Sequence, residues 1–74
     1  MEVRTIEVNA GTVTEARDLA IAASRSNLFE PIRAFPAKAI GFVDFGPQGA
    51  IFTYRVHVEG WPLSEGEARE IWGL

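Results

Sequence analysis

The feature that most constrains this chain is a strict alternation of apolar and polar residues from Phe52 to Glu59. The apolar members are Phe52, Tyr54, Val56 and Val58, and the polar members are Thr53, Arg55, His57 and Glu59. Successive side chains of a β-strand point to opposite faces, so the pattern predicts a strand with one buried and one solvent-exposed face. The rest of the chain must cover the apolar face of this strand.

A turn precedes the strand at Gly46-Pro47-Gln48-Gly49. Pro47 suits the second position of a type I turn because its ring fixes φ, and Gly49 can adopt the positive φ of a G1 bulge. The run from Lys38 to Phe45 then becomes the first strand of a hairpin that extends from Ala37 to Trp61.

The length of the hairpin loop sets which residues pair. A three-residue loop places Phe42 opposite Tyr54 on the buried face, and the same register places Ile40 opposite Val56. A two-residue loop would place Phe42 opposite Thr53, because a slip of one residue exchanges the faces. The three-residue register is preferred since it buries the apolar side chains.

The segment before the hairpin predicts a strand and a helix. Glu2 to Ala10 reads as a strand with Ile6 and Val8 turned inward. Thr12-Val13-Thr14-Glu15 is a capping box, so a helix begins at Val13. Pro31 and Pro36 exclude a continuing helix, which therefore ends near Asn27.

The predicted helix carries one stripe of mostly small apolar residues, formed by Ala16, Leu19, Ala20 and Ala23. Ile21 and Leu28 lie outside this stripe. Either the two form a contact patch, or Ile21 is an exposed apolar residue and Leu28 belongs to the following loop. The apolar segment from Leu28 to Ala37 is expected to cap one end of the core.

A second capping box follows the hairpin, with Ser64 as the N-cap and Glu67 as its reciprocal partner. It predicts a short helix from Glu65 to Trp72. The apolar residues of this tail must dock on the domain or on another protein; they are Ala68, Ile71, Trp72 and Leu74.

The order of elements predicts an α+β fold of one domain over residues 1–74. We expect a two-layer β-α-β-β-(α) arrangement, in which a three-stranded antiparallel sheet carries one helix on one face. Residues 1–61 form this core and residues 62–74 form an acidic, helical C-terminal tail.

The chain has 74 residues and no cysteine. Domains of this size bury about 60% of their unfolded surface and are marginally stable, which makes a homodimer one option for additional burial. Without cysteine there is no disulfide framework, as in a reducing cytoplasm. No apolar run approaches the roughly 20 residues of a membrane span, so we expect a soluble, cytoplasmic protein.

The charge of the chain is unevenly distributed. Residues 1–58 hold six basic and six acidic side chains, whereas residues 59–74 hold Glu59, Glu65, Glu67 and Glu70 against Arg69 alone. Nucleic-acid binding relies on cationic groups at phosphates, so direct DNA or RNA binding is not expected. A protein with a basic surface fits this tail better.

Few residues could support catalysis. His57 is the only histidine, which excludes a histidine-rich metal site. It should face away from Tyr54, with Asp44 on the Tyr54 side, so these three do not form an acid–base set. The glycines match no phosphate or dinucleotide loop. We therefore expect no catalytic residues, no metal and no cofactor.

Two surfaces remain as candidate partner-binding sites. One is the polar sheet face, with Arg55 and His57 beside the small residues Ala39 and Gly41. The other is the acidic tail, which carries Trp61 and Trp72. Tryptophan is the residue type most enriched in binding hot spots. The candidate binding residues are Arg55, His57, Glu59, Trp61, Glu65, Glu67, Glu70 and Trp72.

In its strand, helix and hairpin order the chain resembles dodecins, which are small oligomeric flavin-binding proteins. The likeness covers about Val3 to Trp61 and is clearest in Ile32-Arg33-Ala34-Phe35 and Tyr54-Arg55-Val56. Dodecins carry a flavin-stacking tryptophan at the place of Ala34 and usually a glutamine at the place of Arg55, and this chain has neither. The resemblance implies a flavin-binding oligomer as an alternative function.

The small size and the acidic, tryptophan-bearing tail also resemble small phage-encoded proteins, including anti-CRISPR inhibitors. That resemblance implies a non-catalytic inhibitor in the cytoplasm of the host cell. Such a protein would occupy a basic, nucleic-acid-binding surface of its target.

Overall fold

The computed structural model describes residues 1–73, without the side chain of Trp72. The chain forms an α+β fold with two helices and a four-stranded antiparallel sheet. The elements are β1 (Glu2–Ala10), α1 (Val13–Ser26), β2 (Phe29–Ala34), β3 (Lys38–Gly46), β4 (Gly49–Pro62) and α2 (Glu65–Trp72).

The long strand β4 organises the sheet. β1 pairs along one edge of β4, from Ala10 opposite Phe52 to Glu2 opposite Gly60. The other edge of β4 is shared, because β3 pairs with its N-terminal part and β2 pairs with its C-terminal part. Each half of β4 therefore has a different neighbour on this side.

The prediction of a three-stranded sheet is wrong, since Phe29–Ala34 forms an additional strand rather than an irregular cap. The prolines of this segment suggested a break, but a strand at the edge of a sheet tolerates a residue without an N–H group. Pro31 lies opposite Gly60, next to a bulge in the strand. Leu28 has a φ of 55°, which turns the chain from the helix into β2.

The predicted hairpin register is also wrong. The loop contains two residues, so Gly46 pairs with Gly49, whose φ is 127°. A bulge between Phe42 and Asp44 then shifts the pairing and brings Phe42 opposite Phe52, and a second bulge between Ala39 and Gly41 shifts it once more. Phe42 was expected in the core, but 54% of it is exposed.

Helix α1 begins and ends as the sequence predicts. The Thr12 hydroxyl accepts a hydrogen bond from the amide of Glu15 at 3.1 Å, and the Glu15 carboxylate accepts one from Gly11 instead of Thr12. The buried helix residues are Ala16, Ala20 and Ser24, whereas the predicted core residue Leu19 is exposed. The helix is thus rotated relative to the predicted stripe.

The core lies between α1 and the sheet. Its largest fully buried side chains include Phe29, Val56 and Val58. Gly60 allows β2 to approach closely, since a Cβ atom at this position would lie 2.1 Å from the carbonyl oxygen of Glu30. The guanidinium of Arg4 lies 4.4 Å above the ring of Phe29 and closes the edge of the core.

Helix α2 follows the sheet, and its predicted capping box is confirmed. Ser64 accepts from the Glu67 amide and Glu67 accepts from the Ser64 amide, both at 3.2 Å. Ala68 is buried and Ile71 is exposed, whereas Leu74 and the side chain of Trp72 lie outside the described part of the chain. Within the described residues, no helix is long and apolar enough to cross a membrane.

Candidate binding surfaces

The polar face of the sheet is a ladder of side-chain pairs between β1 and β4. Residues directly opposite each other on these strands form hydrogen bonds or ion pairs. The pairs are Thr5 with His57 at 2.9 Å, Glu7 with Arg55 at 3.1 Å and Asn9 with Thr53 at 2.8 Å. These groups already satisfy one another, so a partner would have to offer at least equal bonds in exchange.

The structure places the predicted binding residues Arg55 and His57 within this ladder. Gly41 lies opposite Thr53, on the polar face as expected, but Ala39 lies opposite Tyr54 and therefore on the other face. The position directly opposite Arg55 is occupied by Lys38 and not by a small residue.

His57 is exposed, and the structure keeps it apart from the other titratable residues considered for catalysis. Tyr54 is buried on the opposite face of β4. Asp44 lies opposite Ile51, on the polar face rather than on the Tyr54 side. Six residues of strand separate that position from His57, which is roughly 20 Å. Among the described residues, no group of three or more His, Cys, Asp or Glu is arranged to hold a metal ion.

The second surface, which we call the acidic end, consists of Glu59, Trp61, Glu65, Glu67 and Glu70. Trp61 is 48% exposed on the polar side of β4. Glu65 and Glu70 are exposed on α2. Glu59 forms an ion pair with Arg33 at 3.4 Å, and Glu67 caps α2. Trp61, Glu65 and Glu70 are therefore the residues most available to a partner.

The structure also shows a surface that sequence reasoning missed. We call it the hairpin surface, and it comprises the exposed apolar residues of β3, which are Ile40, Phe42, Val43 and Phe45. The ring centroids of Phe42 and Phe45 are 5.2 Å apart, and those of Phe42 and Phe52 are 5.8 Å apart, both in edge-to-face geometry. Phe45 is 76% exposed.

One signal in the sequence could have revealed this surface. The predicted helix of about 14 residues measures roughly 21 Å. The strand β4 has 14 residues and extends over most of the molecule's longest dimension of 41 Å. One helix of that length cannot cover the whole apolar face of such a strand, so part of the hairpin must remain bare.

A cavity of about 470 Å³ lies where the hairpin turn approaches the beginning of α1. Thr12 and Glu15 line one side, and residues 46–52 line the other. The Glu15 carboxylate accepts the Gly11 amide there and places negative charge at the helix N-terminus. The apolar wall of the cavity is continuous with the hairpin surface through Phe52.

The position that would match the flavin-stacking residue of dodecins lies in the core. Ala34 is buried, and its carbonyl oxygen accepts a hydrogen bond of 2.7 Å from Arg17. Arg55, at the other matched position, forms the ion pair with Glu7. A flat ring therefore has no open surface at Ala34 on which to stack.

Comparisons of the chain with protein-family models, with curated proteins and with solved structures find no match.

Proposed function

We propose that this chain is a non-catalytic protein-binding module that uses its acidic end to occupy a basic surface on another protein. The observations that carry the proposal are the half-exposed Trp61 near the end of β4 and the exposed carboxylates of Glu65 and Glu70 on α2, the helix that follows β4 in the chain. Buried tryptophans contribute much of the binding energy at protein interfaces. A tryptophan left open to solvent in so small a protein is a candidate anchor.

The acidic end is better suited to this role than the polar sheet face. The sheet-face residues Arg55 and His57 are engaged with β1. Glu65 and Glu70 form no ion pair with another residue of the described part of the chain, so an incoming lysine or arginine has no such pair to displace. The excess negative charge of the chain also lies here. Such a charge patch steers a basic partner toward the surface and raises the association rate.

A basic surface of this kind is what a nucleic-acid-binding protein presents to phosphates. A carboxylate-rich module that occupies it would compete with DNA or RNA for the same cations. This supports inhibition by occupancy, as in anti-CRISPR proteins of phages, and requires no chemistry from the module itself.

The experiment uses the intact chain, immobilised, to capture proteins from the heparin-binding fraction of a bacterial lysate. The double variant Glu65→Gln/Glu70→Gln removes two charges from the acidic end and leaves the Glu67 cap of α2 in place. Asp18→Asn/Asp44→Asn is the matched control, because it removes the same charge elsewhere. Both variants change the formal net charge from −3 to −1.

We expect a captured protein to be released by double-stranded DNA and by 0.5 M salt. The acidic-end variant should bind it at least tenfold more weakly, whereas the control should bind as the natural chain does. Equal weakening by both variants would show that only net charge matters. Retention in the presence of excess DNA would exclude occupancy of a nucleic-acid site.

A further inference from the structure

The single chain exposes more surface than a compact protein of its size. Its accessible area is 4913 Å², whereas the scaling law for monomeric proteins gives about 4,500 Å² at this mass. Its radius of gyration is 13.6 Å, against about 11 Å for a compact domain of this length. Roughly 400 Å² of surface is therefore in excess.

The hairpin contributes exposed apolar residues to this surface. Phe42 lies opposite Phe52 and Phe45 lies opposite Ala50, so both rings share the sheet face of Tyr54. This is the face that α1 covers elsewhere, where the helix packs on β1, β2 and β4. At the hairpin, the same face of the sheet is not covered by α1.

We propose that the hairpin surface is covered by the hairpin surface of a second copy of this chain, in a two-fold symmetric dimer. The two sheets would meet face to face around Phe42 and Phe45. Such an interface is isologous, since the same residues contribute from both copies.

The area of the hairpin surface fits this occupant. Phe42 is 54% exposed and Phe45 is 76% exposed. Since a whole phenylalanine side chain has about 200 Å² of surface, the two together expose roughly 260 Å². Ile40 and Val43 lie at the two bulges of β3 and are 40% and 47% exposed, and with them the exposed apolar area of the strand reaches roughly 400 Å². A standard interface buries about 800 Å² per partner, of which about 60% is apolar.

The hairpin surface is also chemically complementary to the hairpin surface of a second copy. Its four residues are uncharged, and homodimer interfaces are depleted of charge. Aromatic rings prefer edge-to-face contacts with other aromatic rings, and the rings of one hairpin already adopt that geometry. A basic partner would find no carboxylate among these side chains.

The distribution of charge permits two copies to approach in this way. The hairpin turn and the acidic end lie at opposite ends of β4, about 33 Å apart by strand length, in a molecule whose longest dimension is 41 Å. This separation is several Debye lengths at physiological salt. The acidic ends of both copies would point outward and would not oppose dimerisation.

Light scattering during size-exclusion chromatography, with the whole chain at 5–200 μM, tests the proposal. The variant Phe42→Ser/Phe45→Ser removes the two rings. Ile32→Ser/Ile71→Ser is the matched control, because these isoleucines are 52% and 56% exposed outside the hairpin. Circular dichroism verifies folding, and Phe45→Lys alone is a milder second variant since this residue is the most exposed.

We expect the natural chain and the isoleucine control to have twice the mass of the 8.1 kDa chain. Phe45→Lys and the double phenylalanine variant should have the mass of one chain, with unchanged circular dichroism. A natural chain that remains monomeric at 200 μM overturns the proposal. An assembly that survives Phe45→Lys overturns it as well, because its contacts would then lie elsewhere.

Discussion

The two halves of β4 are built on the same alternating pattern but have different surroundings. In the C-terminal half, Val56 and Val58 are fully buried between α1 and the sheet. In the N-terminal half, β3 is the neighbour and Phe42 and Phe45 stand open to solvent. We call these the packed half and the hairpin half.

The comparison shows that alternation identifies a strand face but does not guarantee that the face is covered. Coverage depends on the length of the helix, and α1 is too short for the whole strand. The packed half supplies the stability of the single chain, while the hairpin half supplies surface. Substitutions of the same kind in the two halves should therefore have different effects.

The largest difference is expected for phenylalanine to alanine. Phe29 is 0% exposed, so Phe29→Ala should lower the free energy of unfolding by about 3–5 kcal/mol through lost burial and a cavity. Phe45→Ala should change it by less than about 0.5 kcal/mol, as expected for a surface position. Urea unfolding at several protein concentrations measures both and separates the contribution of a dimer, which depends on concentration.

Equal losses for the two phenylalanine variants would mean that the hairpin belongs to the core of the single chain. Because a domain of this size has only about 4–11 kcal/mol of stability, Phe29→Ala can leave the chain largely unfolded. Phe29→Leu is then the conservative replacement for the same comparison.

A pair of glycines gives the next largest difference. A Cβ atom at Gly60 would meet the Glu30 carbonyl oxygen at 2.1 Å and the Phe29 ring at 2.8 Å, whereas at Gly41 it would meet nothing within 4 Å. Gly60→Ala should therefore cost about 1–3 kcal/mol. Gly41→Ala should stabilise the chain by up to about 1 kcal/mol, because alanine has less backbone freedom to lose.

Thermal unfolding followed by circular dichroism separates these two glycine variants. Gly60→Ala should lower the midpoint and Gly41→Ala should raise it slightly or leave it unchanged. A destabilised Gly41→Ala would contradict the open environment of β3.

Local signals in the sequence predicted much of this fold. The Thr12 and Ser64 caps predicted where both helices begin. The hydroxyl of a cap accepts a hydrogen bond from a backbone amide in the first turn of its own helix, so the signal is local in the sequence. The alternation placed Val56 and Val58 in the core. The strands Glu2–Ala10 and Lys38–Phe45 were also recognised, since their patterns and turn residues are local, and the second extends one residue further, to Gly46.

Features that depend on distant contacts were not predicted. The pairing of Phe29–Ala34 with the end of β4 gives this segment its strand conformation despite Pro31. The two bulges in β3 leave no mark in the pattern of Ile40 and Phe42. Among the candidate binding residues, Glu59 was named for its charge, and its ion pair with Arg33 of β2 was not predicted.

The smallest expected effects concern Arg55, which lies at the boundary of the two halves. It is opposite Glu7 of β1, with which it forms an ion pair, and opposite Lys38 of β3. Exposed ion pairs contribute about 0.2–1 kcal/mol, and like charges directly opposite each other are unfavourable. Glu7→Gln should therefore destabilise the chain by a few tenths of a kcal/mol, and Lys38→Gln should stabilise it by a similar amount.

Both effects are electrostatic, so they should shrink when urea unfolding is repeated in 0.5 M NaCl instead of low salt. They should also vanish in an Arg55→Gln background, because the charge that they act on is absent. If Lys38→Gln destabilised the chain in either salt, the aliphatic part of Lys38 would be packing on the hairpin. In that case only the face of the hairpin half that carries Phe42 and Phe45 would be open to solvent.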